Sequence, residues 1–265
     1  MSAAISIAAD DGSIYRAHRE AYLGQLVAPM DDMWAAFVEG SSHYVLQIDG
    51  APAGSCAIDA EKRLLRFHVE SGQRGRSAEL LRRVREELTP DCAMAFSLDP
   101  HGLSTMLGLA ARVEPHTLLY GPHGEPSSPG LEGLRSGEAR DHGPVVDFQQ
   151  AAIGAPSAFL EPYTRERLDR RELWLHEQDK RLLAVGELRR DDRQPGIAHL
   201  GVIVDREARG KGLATAMLSS LVRLCREEGL TPHCSTELGN VGAQRAIERA
   251  GFRADHRLFR VELSG

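Results

Sequence analysis

The sequence predicts an α/β protein in which one folding unit is used twice. The chain has 265 residues, a length that suits two domains of roughly 100 to 200 residues each. Residues 121–144 include 13 Gly, Pro and Ser among 24, so this stretch lacks a periodic apolar face and is predicted to be a linker. The segments on its two sides resemble each other: RVREELTPDCAMAF, from Arg83 to Phe96, and RLCREEGLTPHCSTEL, from Arg223 to Leu238. We therefore expect one domain over 1–120 and a second over 145–265.

Composition and charge exclude several classes of protein. The formal net charge is −6 at pH 7, so there is no overall positive field to hold nucleic acid or an anionic membrane. No apolar run approaches the roughly 18 residues of a membrane span, and the first residues lack the basic start of a secretory signal. The four cysteines form no C-x-x-C pair, which is typical of buried free thiols in a reducing compartment. The sequence thus predicts a cytoplasmic protein without nucleic-acid or membrane partners.

The second copy shows an ordered series of helices and strands. Residues 147–172 predict one or two helices, interrupted near Pro156 and Pro162 because proline breaks the helical hydrogen-bond ladder. Helical periodicity over 213–225 is followed by Gly229, which suits a C-cap, and a shorter helix follows Asn240, which suits an N-cap. Runs rich in apolar and β-branched residues predict strands at 173–176, 182–188, 198–204, 233–238 and 257–263.

The segment that carries most chemical information is LGVIVDREARGKGLATAML, from Leu200 to Leu218. It leads from a buried strand through a short turn into Arg209-Gly210-Lys211-Gly212-Leu213-Ala214 and then directly into a helix. The two glycines let backbone N–H groups converge, and the helix N-terminus adds unpaired donors and the positive end of its dipole. The pattern predicts an anion site that suits a pyrophosphate; the alternative is a glycine-rich turn with solvated basic residues.

Two other phosphate-binding motifs fit this loop poorly. A P-loop needs G-x-x-x-x-G-K followed by Ser or Thr, whereas Asp205 stands five residues before Gly210 and Gly212 follows the lysine. A dinucleotide fingerprint needs a glycine close to the strand end and a third glycine at the position of Thr215. Neither a P-loop nor a dinucleotide-binding fold is therefore expected.

Two landmarks in the second copy together resemble a known superfamily. The string from Arg209 to Ala214 resembles the Q/R-x-x-G-x-G/A signature of the GNAT N-acetyltransferases. Downstream, Asn240-x-x-Ala243 and Gly251-Phe252 resemble the N-x-x-A…G-F block on the last helix of that superfamily. The resemblance covers roughly residues 145–263. It implies two tandem GNAT-like domains, each a mixed, mostly antiparallel splayed sheet flanked by helices, with acetyl-CoA as co-substrate in the gap of the second.

The resemblance also implies which residues hold acetyl-CoA. Backbone groups of the domain's fourth strand are expected to pair with the pantetheine arm, and the loop and first helical turn to hold the pyrophosphate. Asn240 is expected to contact the cofactor from the last helix, although a simple N-cap explains it equally well. The expected contacts are Val202, Ile203, Val204, Arg209, Gly210, Lys211, Gly212, Leu213, Ala214, Thr215 and Asn240. No metal site is expected.

The implied reaction is direct transfer of an acetyl group to a primary amine within a ternary complex, where proximity lowers the barrier. Many relatives carry a Tyr general acid seven residues after the asparagine, and this chain has Ile247 there. The candidate bases for the amine proton are Glu187, His199 and Glu237, with solvated or structural roles as the alternative for each. The missing tyrosine motivates a second hypothesis, a non-catalytic acetyl-CoA-binding or partner-interaction protein.

No motif identifies the acceptor amine. Small-molecule amines and the amines of proteins or peptides are both compatible with the sequence as acceptors, and so are acetyl and longer acyl groups as the transferred group. The sequence carries no signal for the oligomeric state. The residues predicted to line the acceptor site are Phe159, Glu161, Tyr163, Trp174 and His176.

The first copy departs from the acetyl-CoA pattern. Its equivalent loop follows Phe67-His68-Val69 and reads Gln73-Arg74-Gly75-Arg76-Ser77-Ala78-Glu79, so serine replaces the second glycine and a carboxylate stands at 79. A carboxylate beside a pyrophosphate costs on the order of 1 kcal/mol or more. Asp99-Pro100 also replaces the asparagine landmark. We predict a degenerate GNAT-like domain that does not bind acetyl-CoA and that shapes the acceptor site or braces the second domain.

Overall fold

The structure is a computed structural model that describes residues 4–264. It divides into two compact units: the first holds the residues up to Leu118 and those from His256 onward, and the second holds Leu119–Asp255. The sequence assigned the C-terminal segment to the second domain, whereas the structure places it in the first unit. The physical reason is that residues 258–261 form an antiparallel ladder with the strand Cys92–Phe96.

Unit 1 combines helices with a sheet whose strand order is β1-β2-β3-β4-β5-β12. Its helices are α1 (Ser13–Gly24), α2 (Asp32–Glu39), α3 (Ser77–Leu88) and α4 (Pro100–Leu107). Its strands are β1 (Ile5–Asp10), β2 (Ser42–Ile48), β3 (Ala51–Ile58), β4 (Arg63–Val69), β5 (Cys92–Phe96) and the C-terminal part of β12 (Phe252–Leu263). Strand β6 (Ala110–Pro122) begins in unit 1 and ends in unit 2.

Unit 2 repeats the same succession of elements, and its strand order is β6-β11-β10-β9-β8-β7. Its helices are α5 (His142–Ile153), α6 (Ser157–Asp169), α7 (Leu213–Glu227) and α8 (Val241–Arg249). Its remaining strands are β7 (Arg135–Ser136), β8 (Leu173–Gln178), β9 (Arg181–Arg190), β10 (Ile197–Val204) and β11 (Thr231–Glu237). Over residues 4–264, no helix combines the length and apolar character needed to cross a membrane.

In each unit, two neighbouring parallel strands separate along their length. Strand β10 pairs with β11 only at residues 197–199, although β10 continues to Val204. Strand β4 pairs with β5 only at Arg63 and Leu64, although β4 continues to Val69. The ladders β1–β2, β2–β3, β3–β4, β5–β12, β7–β8, β8–β9 and β9–β10 are antiparallel. Both sheets are therefore mixed, mostly antiparallel and splayed, as the sequence predicted.

Helices cover both faces of the sheet in unit 2. A Cβ added at Gly186 of β9 would lie only 2.7 Å from the Met217 sulfur of α7, so this face packs closely against α7. The adjacent residue Val185 packs on the opposite face with Leu168 of α6. Because side chains alternate along a strand, Glu187 shares the α5/α6 face with Val185. The sheet thus separates a face next to α7 from a face next to α6.

Two local differences from the sequence prediction occur in unit 2. The predicted interruption near Pro156 is confirmed, since α5 ends at Ile153 and α6 begins at Ser157, whereas the one predicted near Pro162 is wrong because Pro162 lies inside α6. Buried Leu160, Thr164 and Leu168 anchor α6 through its apolar side, which offsets the hydrogen bond that proline removes. The predicted linker over 121–144 also contains β7, which pairs antiparallel with β8, and its last residues already belong to α5. Its glycines and prolines therefore surround a short edge strand.

The four cysteines are buried free thiols, as predicted. Burial raises the pKa of Cys56 and of Cys225 to about 12. These thiols are protonated at neutral pH and are poor nucleophiles.

Candidate functional site

The loop between β10 and α7 has an open backbone cradle. After Val204 the chain makes a short 3-10 turn at Arg206–Ala208 and then reaches Gly210 and Gly212. Both glycines adopt the left-handed region, with φ of 77° and 82°, and an added Cβ at either would meet nothing within 4 Å. Gly212 is the N-cap of α7, and no side chain caps this helix start. The first N–H groups of α7 are therefore free to bind an anion.

A cavity of about 680 Å³ lies beside this loop in unit 2. Three arginines and no carboxylate stand among the residues that line it, although the chain as a whole is acidic. Its walls are formed by Ala152, Ile153, Val202, Ile203, Val204, Ala208, Arg209, Gly210, Gly212, Leu213, Ala214, Thr215, Asn240, Gly242, Ala243, Arg245, Ala246 and Arg249. The cavity can hold an elongated ligand with an anionic part at the loop.

The structure brings together nearly all of the residues that the sequence proposed for cofactor binding. Only Lys211 is missing from the cavity wall, and its side chain is exposed. Arg209 is present but engaged, because its guanidinium donates to the carbonyls of Val204 at 3.2 Å and Ala152 at 2.9 Å. Asn240 caps α8 by accepting from the Ala243 N–H at 3.2 Å and also lines the cavity. Both roles considered for Asn240 are thus compatible with its position.

Sequence reasoning missed the contributions of α5 and of the outer side of α8. Ala152 and Ile153, at the end of α5, close one wall of the cavity. Arg245 and Arg249 project from α8 one helical turn apart. The spacing of these two arginines was visible in the sequence, and it was the available signal for this second cationic wall.

Glu187 has the most organised environment of the three candidate bases. Tyr163 Oη donates to its Oε2 at 2.8 Å, and Arg189 Nη1 donates to the same oxygen at 2.5 Å. A Cβ added at Gly201 of β10 would lie 3.3 Å from that Oε2. The carboxylate therefore lies against the splayed part of β10, where the strand no longer pairs with β11.

The hydroxyl of Tyr163 serves as a donor to Glu187. Burial and the neighbouring carboxylate raise the pKa of Tyr163 above its usual value, so the hydroxyl keeps its proton. The Tyr163 ring stacks on Phe159 with 5.4 Å between centroids, and the guanidinium of Arg167 lies 5.5 Å from its centre. This packing fixes the position of the hydroxyl.

His199 and Glu237 have environments of a different kind. His199 is buried at the last residue where β10 pairs with β11, and its Nε2 lies 3.0 Å from Asp191 Oδ2. Burial alone raises the pKa of Asp191, but hydrogen bonds, first among them that from His199, bring it below its usual value. Glu237 is exposed at the end of β11. None of the three candidate bases is among the residues that line the cavity. The burial of His199 and its contact with Asp191 favour a structural role for this residue.

The other residues named for acceptor binding are dispersed. Glu161 is exposed on α6. Trp174 and His176 pair with Gly186 and Ala184 of β9, which places both on the α7 face and away from Glu187. Ile247, at the position of the missing tyrosine, is a buried apolar residue of α8. Of this group, only Phe159 and Tyr163 belong to the surroundings of Glu187.

The equivalent loop of unit 1 is built differently. Residues 71–76 form a 3-10 helix, and neither Gly72 nor Gly75 has a positive φ. Glu79 stands in the first turn of α3 and pairs with Arg76 at 2.7 Å. Ser77 lies 2.8 Å from a ring nitrogen of His101. The start of α3 thus carries its own carboxylate where α7 presents free N–H groups.

The strand before that loop also carries a different side chain in unit 1. Arg66 of β4 lies three residues before the strand end, as Gly201 does in β10. Its guanidinium is buried between the rings of Tyr15 and Tyr22, 4.6 and 4.3 Å from their centres. Burial lowers the pKa of Arg66 from its usual value. Unit 1 therefore has a large cationic side chain on the strand itself, where unit 2 has a glycine against which Glu187 and Arg189 lie.

Comparison with families of known proteins agrees with this architecture. A model of the acetyltransferase (GNAT) domain matches residues 14–123, and a model of the acetyltransferase (GNAT) family matches residues 144–252. No curated protein matches the chain in sequence. The two matches fall in the two halves and confirm the internal repeat.

Three solved structures are similar to the chain over nearly its whole length. A GNAT-family acetyltransferase from Colwellia psychrerythraea has 27% identity and a TM-score of 0.92, with 98% of this chain and 100% of that one covered. A GCN5-related N-acetyltransferase from Sphaerobacter thermophilus has 16% identity and a TM-score of 0.64, with 98% and 96% covered. A tandem GNAT protein from the clavulanic acid biosynthesis pathway has 14% identity and a TM-score of 0.65, with 99% of each covered. The predicted fold class is thus confirmed.

Proposed function

Since the chain belongs to the GNAT acetyltransferase family, with one such domain in each half, we propose that it transfers the acetyl group of acetyl-CoA to a primary amine. Transfer is direct, within a ternary complex of protein, acetyl-CoA and amine. The cavity of unit 2 is the observation that carries this proposal. Unit 1 takes no part in binding acetyl-CoA.

The residues around the cavity fit acetyl-CoA in shape and charge. The cradle at Gly210 and Gly212 is free of side chains, and the uncapped start of α7 offers N–H donors for the pyrophosphate. The apolar residues Val202 and Val204 line the adjoining wall. This half of β10 pairs with β9 but not with β11, so its edge toward β11 offers backbone groups for the pantetheine amides. The arginines and the lack of carboxylates in the wall suit a polyanion. When bound, acetyl-CoA supplies an acyl thioester. The residues of the chain position the reactants and accept the proton of the amine.

Glu187 is the group we assign to the amine proton. An amine is protonated at neutral pH, and it must lose a proton before its nitrogen can attack a carbonyl carbon. Both protein donors contact Oε2, and Oε1 of Glu187 accepts no hydrogen bond from a described residue. We propose that Oε1 first contacts the ammonium group of the acceptor and then accepts a proton from that group. Arg189 and Tyr163 are positioning residues that hold the carboxylate over the open part of β10.

The surroundings of Glu187 also favour a cationic acceptor. The carboxylate attracts an ammonium group, and the exposed face of Phe159 next to Tyr163 offers an aromatic surface that a cation can approach. These features suit small-molecule amines and the amines of peptides alike. The acceptor class is therefore left to experiment.

Transfer is tested by incubating the full chain with acetyl-CoA and a panel of amines: a polyamine, amino acids, an aminoglycoside, and peptides with a free N-terminus or lysine. Release of the CoA thiol is followed with a chromogenic thiol reagent, and acetylated products by mass spectrometry. The buried cysteines of the protein keep the background low. We expect thiol release with at least one amine class and its loss in a Gly210→Glu/Gly212→Glu variant.

The same experiment distinguishes the second hypothesis. Tight binding of acetyl-CoA with no acetylation of any amine, and no thioester hydrolysis above background, would favour a non-catalytic acetyl-CoA-binding protein. That result would also be consistent with the apolar Ile247 where many relatives have an acid. Acetylation of any tested amine at a rate that depends on the loop glycines contradicts the non-catalytic hypothesis.

A further inference from the structure

The arginines of the acetyl-CoA cavity do not all have the same role. Arg209 uses its guanidinium to join two backbone carbonyls, those of Val204 and Ala152. Its side chain therefore links the loop to the end of α5. Arg245 and Arg249 lie on a different element, α8, and are exposed at the cavity wall. These two form what we call the α8 arginine pair.

The guanidinium groups of the α8 arginine pair have no partner among the described residues. Several other arginines of unit 2 are joined to carboxylates, as Arg190 is to Glu228 and Arg226 to Glu125. Over residues 4–264, neither guanidinium of the α8 pair makes a hydrogen bond or an ion pair. Spacing of four residues places the two side chains on one side of the helix. Two uncompensated cations are thus held side by side on the wall of a cavity that lacks carboxylates.

We propose that the α8 arginine pair binds the 3′-phosphate of acetyl-CoA, an inference that rests on the proposed function. The molecule carries two kinds of phosphate: a pyrophosphate within its chain and a phosphate monoester on the ribose. Backbone N–H groups of the Gly210–Gly212 cradle and α7 suit the pyrophosphate. A phosphate monoester carries close to two negative charges at neutral pH and offers three oxygens. Two guanidinium forks match that charge and geometry better than one lysine or a helix end does.

This assignment makes the pair a specificity element. The 3′-phosphate takes no part in acyl transfer, so a contact with it contributes to affinity and to choice of carrier. A protein with this contact binds CoA more tightly than 3′-dephospho-CoA, which has the same pantetheine and pyrophosphate. Arg245 and Arg249 therefore favour CoA over carriers that lack this phosphate.

The proposal is tested by calorimetry with CoA and 3′-dephospho-CoA on the full chain. Three proteins are compared: the wild type, Arg245→Ala/Arg249→Ala, and Arg140→Ala/Arg165→Ala. The last removes two exposed arginines of unit 2 that lie outside the cavity, so the change in net charge is matched. Circular dichroism checks that each variant is folded, and both variants replace exposed side chains.

We expect the wild type and the Arg140/Arg165 variant to prefer CoA by about tenfold or more, the size of one or two charge-assisted contacts. The Arg245→Ala/Arg249→Ala variant is expected to bind both ligands with the affinity that the wild type shows for 3′-dephospho-CoA. Higher salt should reduce the preference of the wild type, since exposed charges are screened.

Equal affinity of the wild type for the two ligands overturns the 3′-phosphate assignment while leaving the proposed function intact. So does a preference for CoA that survives in the Arg245→Ala/Arg249→Ala variant. Absence of CoA and acetyl-CoA binding by the wild type overturns the proposed function itself, and this inference with it.

Discussion

The two units place different groups at the same points of one fold. In unit 2, the loop after β10 opens with two left-handed glycines, and the helix start is uncapped. In unit 1, the loop after β4 is a 3-10 helix, and Glu79 stands at the helix start. Both sheets nevertheless splay between equivalent parallel strands. The splay follows from the shared core, whereas an anion site depends on a few loop residues that change independently.

The strand before the loop shows the same contrast. Gly201 lets the Glu187 carboxylate lie against β10, while Arg66 in the equivalent position of β4 is enclosed by two tyrosine rings. Ile203 likewise corresponds to His68, whose Nδ1 lies 3.0 Å from the amide nitrogen of Gln25. In unit 2 the side chains next to this position come from the neighbouring strand β9, and in unit 1 the strand itself carries a large side chain. A repeated domain can thus lose a site while retaining its core.

The largest effect is expected from matched changes in the two loops. Gly210→Glu/Gly212→Glu should weaken acetyl-CoA binding by about 1,000-fold, because left-handed backbone costs roughly 1–2 kcal/mol per non-glycine residue and the added carboxylates repel phosphate. Gly72→Glu/Gly75→Glu should leave the affinity unchanged, since neither glycine has a positive φ. Calorimetry measures both. Loss of binding in the unit 1 variant would contradict the assigned difference between the loops.

The second effect concerns the base. Glu187→Gln should lower kcat by about 100-fold, the lower end of what general base catalysis contributes, with little change in acetyl-CoA affinity. Glu227→Gln, an exposed change on α7, is the control and should retain full activity. Steady-state kinetics over a pH series checks this. A Glu187→Gln enzyme with normal kcat would remove Glu187 from proton transfer.

The third prediction tests the filled strand of unit 1 through pH. Burial, and then the charge of Arg66, lower the pKa of His68 to about 3 in the folded protein, against about 6.5 in the unfolded chain. The unfolded state therefore binds more protons between these values, so the free energy of unfolding falls as the pH drops below about 6.5. From pH 7 to pH 5 the loss due to His68 is about 2 kcal/mol.

Urea unfolding of the wild type and of His68→Gln at pH 7 and pH 5 measures that contribution. The variant should lose about 2 kcal/mol less than the wild type over this interval. Parallel pH dependence in the two proteins would show that His68 is not held neutral by the fold.

The smallest effect is expected at Gly201. In Gly201→Ala, the added Cβ would lie 3.3 Å from Glu187 Oε2 and 3.4 Å from Arg189 Nη1, so the carboxylate must shift by a few tenths of an ångström. We expect kcat to fall about tenfold, since small misplacements of reacting groups are costly, while the acetyl-CoA affinity stays constant. The matched Arg66→Ala change should leave the rate of acetyl transfer unaltered. An unchanged rate in Gly201→Ala would show that the position of Glu187 does not limit transfer.

Much of unit 2 could be predicted from the sequence because its signals are local. Four features each follow from residues that are close in the chain: the strand that ends at Val204, the glycine cradle, the left-handed Gly229 directly after the C-cap of α7, and the N-cap at Asn240. The Pro162 break was wrong because tertiary packing of α6 outweighs a local helix breaker. Local propensity thus predicted the loop and the helix that follows it. It failed for α6, where burial of side chains determines the structure.

The rest of the site depends on contacts between distant residues. Tyr163 and Glu187 are in contact only because α6 packs on the face of the sheet that contains β9. The spacing of these two residues in the sequence does not predict their hydrogen bond. His199 and Asp191 are joined across the turn between β9 and β10. The placement of the C-terminal residues in unit 1 depends on the pairing of β12 with β5, more than 150 residues apart in the chain. Such pairings are set by the global fold.

We propose that one copy of the repeat holds acetyl-CoA and that the other does not. Calorimetric titration of the full chain with acetyl-CoA measures the stoichiometry directly, with Gly210→Glu/Gly212→Glu and Gly72→Glu/Gly75→Glu alongside. We expect one site per chain, lost in the first variant and retained in the second. Two sites per chain, or one site that survives the change at Gly210 and Gly212, would contradict it.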